Sequence, residues 1–299
     1  MLLHVRFTIA SLFVVFFKVR CLTVPMEGSI RTFDGLRLFY RQWEVPHPKA
    51  ACLVIHGLAE HSGRYATLAQ TLVSHSFAVW AMDHRGHGRS EGRRGDCRSL
   101  AEFVQDLHQL VQEVQANFQK VPRVLIGHSL GGLIALAYAV EHPLAVQAVA
   151  VSSPALRLAQ APSKAKVYIA KGLAHLLPTT PIPNGVNPQH LSHDPQVVEA
   201  YEKDPLVHRV LTARCAVALQ RAMQEAPRLA VKLKVPCLIL QAGSDLVCDP
   251  QESASFAKNV QNATVSFRRY EGLYHELFNE PQRGEIMEEL CSWIKQNVR

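Results

Sequence analysis

The sequence predicts an α/β fold, with a mostly parallel central sheet of about eight strands flanked by helices and a helical cap inserted late in the chain. Three observations predict it. Short apolar runs at Ala51–Ile55, Phe77–Met82, Val124–Ile126 and Val146–Val151 alternate with helical patterns at Tyr65–Ser74, Leu100–Phe118 and Gly131–Glu141, the order that βαβ crossovers impose on a parallel sheet. From about Ala155 to Lys234 the alternation stops, and Pro-punctuated apolar helical stretches such as Val167–Leu177 and Val207–Met223 replace it. The strand pattern resumes at Cys237–Gln241 and Thr264–Tyr270, and a helix near Glu285–Val298 closes the chain.

The sheet opens on a hairpin. Gly28 to Trp43 alternates around Asp34-Gly35, two residues that tolerate the positive φ of a tight turn. Ser99 and Glu102 form a capping box ahead of Phe103, Leu107, Leu110, Val111 and Val114, which fixes where that helix starts. The folded domain is expected to run over residues 26–299, with the cap at about 155–234.

With 299 residues, 48% hydrophobic and 19% charged, the chain can bury one large core carrying one insertion. Gly and Pro are scattered, with no repeat or low-complexity tract, which argues against a modular array. The formal charge of +7 suits an anionic phospholipid surface, but the Lys and Arg residues form no long basic block, and no nucleic acid partner is expected. Cys21, Cys52, Cys97, Cys215, Cys237, Cys248 and Cys291 are widely spaced without a CxxC pair. They read as reduced small hydrophobes rather than a disulfide framework.

Phe7 to Phe17 is an uncharged apolar-rich run flanked by Arg6, Lys18 and Arg20. It is shorter than the roughly 20 residues a membrane span needs, and no small-x-small cleavage site follows it. Residues 1–25 therefore stay open between an anchor, a signal and a dispensable extension. The expected location is cytoplasmic or peripheral to a membrane, with secretion or amino-terminal anchoring as alternatives.

The chemistry is carried by Gly127-His128-Ser129-Leu130-Gly131. This G-x-S-x-G stands between a strand and a helix, where small residues let the chain turn sharply enough to lift a Ser hydroxyl above the sheet. Such a hydroxyl needs a His to take its proton and a carboxylate to orient that His. Asp245 follows the strand Cys237–Gln241 and His275 follows Thr264–Tyr270, giving the chain order Ser, acid, His on loops after strands. Asp249 competes as the acid, but Asp249-Pro250 reads better as a helix N-cap with Pro at the first helical position. His128 abuts Ser129, yet its place inside the elbow is expected to point it elsewhere.

A tetrahedral intermediate also needs N–H donors for its oxyanion. Leu130, just after the nucleophile, is expected to supply one; Leu58, in the loop His56-Gly57-Leu58 after the strand Ala51–Ile55, supplies the other. Asp83-His84-Arg85-Gly86-His87-Gly88-Arg89-Ser90 places an H-x-x-H pair beside a carboxylate. Zinc takes three or four ligands in defined geometry, and the glycines suit a polar loop, so an architectural role is expected, with no metal or other cofactor.

These residues resemble the monoacylglycerol lipase family and its lysophospholipase-like relatives within the α/β-hydrolases. The matching segments are Val54-Ile55-His56-Gly57-Leu58-Ala59-Glu60-His61-Ser62-Gly63-Arg64-Tyr65, then Asp83 to Gly92, Gly127 to Gly132, and Tyr270-Glu271-Gly272-Leu273-Tyr274-His275-Glu276. The resemblance runs from about Met26 to the carboxyl terminus and implies a monoacylglycerol or similar single-chain lipid ester as substrate. It departs at Leu58 and Leu130, where relatives often carry smaller or different residues, in the looser cap, and in residues 1–25, which have no counterpart.

The leading expectation is ester hydrolysis through an acyl-enzyme. A lysophospholipase or broad carboxylesterase is the near alternative, and a Pro-releasing peptidase would show amine capture by cap carboxylates such as Glu199 or Glu202. A dehalogenase or epoxide hydrolase would carry Asp at the elbow. From another class, a noncatalytic membrane-tethered lipid binder of the same fold usually loses a triad member, and none is lost here. Acyl length, head group and oligomeric state stay open.

Overall fold

The computed structural model describes residues 24–298; the apolar run Phe7 to Phe17 and Cys21 lie outside them. In chain order the first part holds β1 (Met26–Arg31), β2 (Arg37–Trp43), β3 (Ala50–Ile55), α1 (Ala66–Ser74), β4 (Phe77–Met82), α2 (Leu100–Asn117), β5 (Arg123–His128), α3 (Leu130–Glu141) and β6 (Ala148–Ser152). Then come α4 (Lys164–Leu176), β7 (Pro181–Pro183), α5 (Pro195–Lys203), β8 (Val210–Thr212), α6 (Ala213–Glu225) and α7 (Pro227–Lys232). The chain ends with β9 (Cys237–Ala242), α8 (Pro250–Asn259), β10 (Val265–Tyr270) and α9 (Arg283–Asn297).

Eight strands form one sheet in the order β1-β2-β4-β3-β5-β6-β9-β10. The hairpin β1–β2 is antiparallel, with Gly35 at φ 88° in its turn, and β2 joins β4 antiparallel. From β4 to β10 every pairing is parallel. This is the α/β-hydrolase architecture. Strands β3, β4, β5, β6 and β9 are buried along their whole length, as expected for parallel strands covered by helices on both faces.

Small residues set how closely α3 approaches the sheet. A Cβ at Gly131 would lie 2.0 Å from Ile55 O, and one at Gly127 would lie 2.3 Å from Gly131 O. Only glycine permits both approaches, and Ala135, Ala137 and Ala139 continue the contact as buried residues. Trp80, Tyr138, Phe77 and Phe103 are the largest wholly buried side chains; each contributes roughly 1.5–3 kcal/mol or more of apolar burial.

Two local expectations are corrected. Ser99 is the N-cap of α2, but its hydroxyl makes no capping bond, and Glu102 instead accepts the Arg98 N–H at 2.8 Å. The capping carboxylate thus reaches one residue further back than the capping box places it, with Ser99 extended at φ −161°, ψ 164°. Val207–Met223 is not one helix. Val210–Thr212 pairs antiparallel with Pro181–Pro183, and α6 begins only where Thr212 Oγ1 accepts the Cys215 N–H at 3.2 Å. The same hydroxyl donates to Asp96 Oδ1 at 2.6 Å, which Arg214 Nε also reaches at 2.8 Å. Two buried side chains, Cys97 and Cys215, bring their sulfurs within 3.1 Å there as free thiols, so α6 is fastened to the loop ahead of α2.

Candidate active site

Every residue expected to do chemistry stands just past the carboxyl end of a parallel strand. Ser129 follows β5 with φ 52° and ψ −118°, a backbone state an L-residue adopts only under strain. Its N–H donates to Ser152 O at 3.0 Å, and its carbonyl accepts from Ala155 N at 2.9 Å and Gly132 N at 3.0 Å. These bonds, with Gly127 and Gly131 packed against one another, hold the strained turn in place.

Asp245 follows β9 and His275 follows β10. His275 Nδ1 and Asp245 Oδ2 are 2.8 Å apart, with side-chain exposures of 3% and 0%. Oδ1 of Asp245 accepts the N–H groups of Val247 at 2.8 Å and Cys248 at 2.9 Å. Burial pushes the Asp245 carboxyl up, but His275 beside it and the two N–H groups outweigh burial and hold it below its usual range. Burial pulls His275 down, and Asp245 outweighs that, so the imidazole titrates above its ordinary value of 6.5. Among the described residues no hydrogen bond joins Ser129 Oγ to His275; the hydroxyl lies 4.0 Å from Cys248 Sγ.

Asp249 does what its sequence context indicates. It caps α8, accepting the Gln251 N–H at 2.8 Å, and pairs with Arg157 at 2.7 Å. His128 Nδ1 lies 3.4 Å from Ser152 Oγ, and among the described residues no hydrogen bond joins it to Ser129. Its ring centroid lies 4.7 Å from that of His275, and burial together with His275 holds its pKa down to about 4. It is therefore a neutral wall for the imidazole.

Leu58 and Leu130 both present backbone N–H groups without an acceptor among the described residues. Leu130 is the first residue of α3, where such a free donor is inherent to a helix start and the helix dipole favours negative charge. The Leu58 loop approaches the nucleophile closely, since a Cβ on Gly57 would lie 3.3 Å from Ser129 Cβ. Gly57 N–H donates to Glu60 Oε1 at 2.6 Å, Ala59 turns through φ 67°, and Ala59 O accepts from His208 N at 3.0 Å. The loop is thus held from the core and from the segment between β6 and β9.

The segment Asp83 to Ser90 supports that loop. Asp83 accepts the Ser62 N–H and the Arg89 N–H at 2.8 Å each. His84 N–H donates to His56 Nε2 at 2.9 Å, while His84 Nε2 reaches His56 O at 3.0 Å. Asp245, Cys248 and His275 also offer donor atoms within 4.8 Å of one another, but Oδ2 and Nδ1 already bond each other. Glu199 and Glu202 are exposed, and Glu199 pairs with Lys203.

Cys248 and Glu276 belong to the site although sequence reasoning passed over them. Glu276 directly follows His275 and closes one of the matching segments, and Cys248 lies three residues after Asp245.

A family model described as serine aminopeptidase, S33, matches residues 46–282. A monoacylglycerol lipase from Mycolicibacterium smegmatis is 37% identical over 270 residues, 90% of this chain and 96% of that protein. The chain belongs to the monoacylglycerol lipase family. The monoglyceride lipase of Homo sapiens, another family member, is 35% identical over 89% of each chain. The crystal structure of the Paleococcus ferrophilus monoacylglycerol lipase superposes with a TM-score of 0.79 at 31% identity, covering 87% of this chain and 99% of that one. Among the described residues no helix is long and apolar enough to cross a membrane.

Proposed function

We propose that the chain hydrolyses the ester bond of a monoacylglycerol or a similar single-chain lipid ester through an acyl-enzyme on Ser129. The observation that carries this reading is the strained elbow at Ser129, beside a His275 buried against Asp245. His275 Nε2 takes the Ser129 proton as Oγ attacks the ester carbonyl, and Asp245 fixes the tautomer with the proton on Nδ1 and stabilises the imidazolium. The N–H groups of Leu58 and Leu130 receive the oxyanion. Collapse expels the alcohol, glycerol in the case of a monoacylglycerol, which takes its proton from His275. Water, activated by the same imidazole, then releases the fatty acid and regenerates Ser129.

The chain between β6 and β9 is read as a cap that shelters the acyl chain, which gains roughly 0.8 kcal/mol per methylene removed from water. The cap is also read as the membrane-facing part. Helix α4 has no buried residue, with Tyr168 at 73%, Ile169 at 63% and Leu176 at 76% exposure. These three fall on one helical face, edged on one side by Lys164 and Lys171, a pattern suited to an anionic lipid surface.

The relatives named as lipases support the substrate class. Of the cap carboxylates a peptidase reading would use for amine capture, Glu199 is paired with Lys203, and Glu199 and Glu202 are both exposed. The test is a fluorophosphonate probe together with a panel of monoacylglycerols, lysophospholipids, short p-nitrophenyl esters and Pro-peptides. Labelling of the native chain but not of Ser129→Ala, with monoacylglycerol turned over fastest, is expected. Turnover of the peptides alone would sink the lipase reading.

A further inference from the structure

We propose that Arg64 is a positioning residue that couples the loop carrying the oxyanion donor Leu58 to the loop carrying the base His275. The proposal rests on the roles given to Leu58 and His275 above and adds a residue outside the triad.

Arg64 lies in the short turn Ser62–Tyr65 after β3, with its side chain only 10% exposed. Nη1 donates to Glu60 Oε2 at 2.6 Å and to Glu276 Oε1 at 2.6 Å, while Nη2 donates to Glu276 Oε2 at 2.7 Å. The two acidic side chains are 4% and 5% exposed. One guanidinium thus joins two buried carboxylates from loops 216 positions apart along the chain.

Each carboxylate acts on a different part of the site. Glu60 Oε1 accepts the Gly57 N–H at 2.6 Å and the Tyr65 hydroxyl at 2.6 Å. Holding Gly57 N–H sets the orientation of the following peptide, the one that carries the Leu58 N–H. Glu276 is the residue after His275; its N–H donates to Leu191 O at 2.8 Å, and Oε2 also accepts from Asn279 Nδ2 at 2.8 Å. The guanidinium stacks over the Tyr201 ring of α5 at 4.8 Å.

A buried ion cluster of this kind is a poor way to gain stability, because desolvating three charges offsets most of their attraction. Its value lies in geometry. An oxyanion donor and a general base must keep their spacing within a fraction of an ångström to act on one carbonyl. The planar fork of Arg64 fixes both through two rigid hydrogen-bonded contacts, which a lysine ammonium cannot reproduce. With two carboxylates on one cation, the cluster keeps net negative charge, and Glu276 and Glu60 add to Asp245 in raising the His275 imidazole.

The test uses the full chain with Arg64→Gln, Arg64→Lys and Glu276→Gln. Rates are normalised to active sites counted by fluorophosphonate labelling, so loss of folded protein does not mimic a catalytic defect. On a short soluble ester, kcat per site is expected to fall ten-fold or more in Arg64→Gln, with KM within about two-fold. Arg64→Lys is expected to restore thermal stability more fully than kcat. The near-isosteric Glu276→Gln keeps the fold and moves the acid limb of the kcat/KM profile to lower pH, because a carboxylate that raises His275 is removed. Native kcat per site in both Arg64 variants, with an unmoved limb in Glu276→Gln and an inactive Ser129→Ala, would overturn the positioning role and leave the hydrolase reading intact. An active Ser129→Ala would instead overturn the reading beneath it.

Discussion

Asp245 Oδ2 lies 2.8 Å from His275 Nδ1, and both side chains are buried. Their charges hold each other in place, so the imidazole titrates above 6.5. The base works only when neutral, and it is protonated below its pKa. Activity in kcat/KM is therefore expected to rise with pH along a limb centred above 6.5. Asp245→Asn removes the carboxylate that raises the imidazole, so the limb moves to lower pH, while kcat falls by about 10⁴-fold because the tautomer is no longer fixed. A pH–rate profile of both proteins checks this; an unmoved limb would assign the acid elsewhere.

Gly57 has no room for a side chain. A Cβ there would lie 2.9 Å from Glu60 Oε1 and 3.3 Å from Ser129 Cβ. Gly57→Ala is expected to push the Leu58 loop off the nucleophile and reduce kcat by about 10²-fold or more, the scale of one lost oxyanion donor. Steady-state kinetics on a soluble ester should place the loss in kcat rather than KM.

Arg85 binds Asp106 through Nε at 2.6 Å and Nη2 at 2.7 Å, and the Asp106 side chain is wholly buried. Asp106→Ala leaves the guanidinium without its buried partner and is expected to cost about 3–5 kcal/mol of stability. Urea unfolding measures it; a loss under 1 kcal/mol would mean that Asp34 and Glu102, which also approach Arg85, suffice alone.

Ile169 and Leu176 stand 63% and 76% exposed on α4. The double variant Ile169→Glu, Leu176→Glu is expected to lower co-sedimentation with anionic vesicles by about ten-fold or more, since each apolar side chain contributes up to roughly 1.5–3 kcal/mol on full burial. Turnover of a soluble short-chain ester should stay within two-fold of native. Unchanged vesicle binding would remove α4 from the membrane face.

What the sequence makes legible is whatever a few neighbouring residues decide. The hairpin at Asp34-Gly35, the elbow around Ser129 and the cap at Asp249 each depend on local backbone chemistry, and all three stand where the pattern put them. The strands β3, β4 and β9 are continuous apolar runs because both their faces are covered, so their bounds are nearly exact in the sequence as well. Contacts across long stretches of chain leave no such trace. Arg64 stands in a matching segment, but its partner Glu276 is visible only once the fold brings the two together, and His128 faces His275 only because β5 and β10 end at the same edge of the sheet. Val207–Met223 fails for a mixed reason: its apolar spacing suits a helix, but Val210 and Leu211 find strand partners in Pro183 and Ile182.

The backbone of Ser129 carries one more implication. At φ 52° the position favours glycine, and an L-residue there costs on the order of 1–3 kcal/mol. Selection for heat tolerance alone would therefore replace this serine, and the gain would come with a silent enzyme. A library screened only for soluble, thermostable protein should collect such variants at the elbow, whereas one screened for turnover must find its stability elsewhere in the chain.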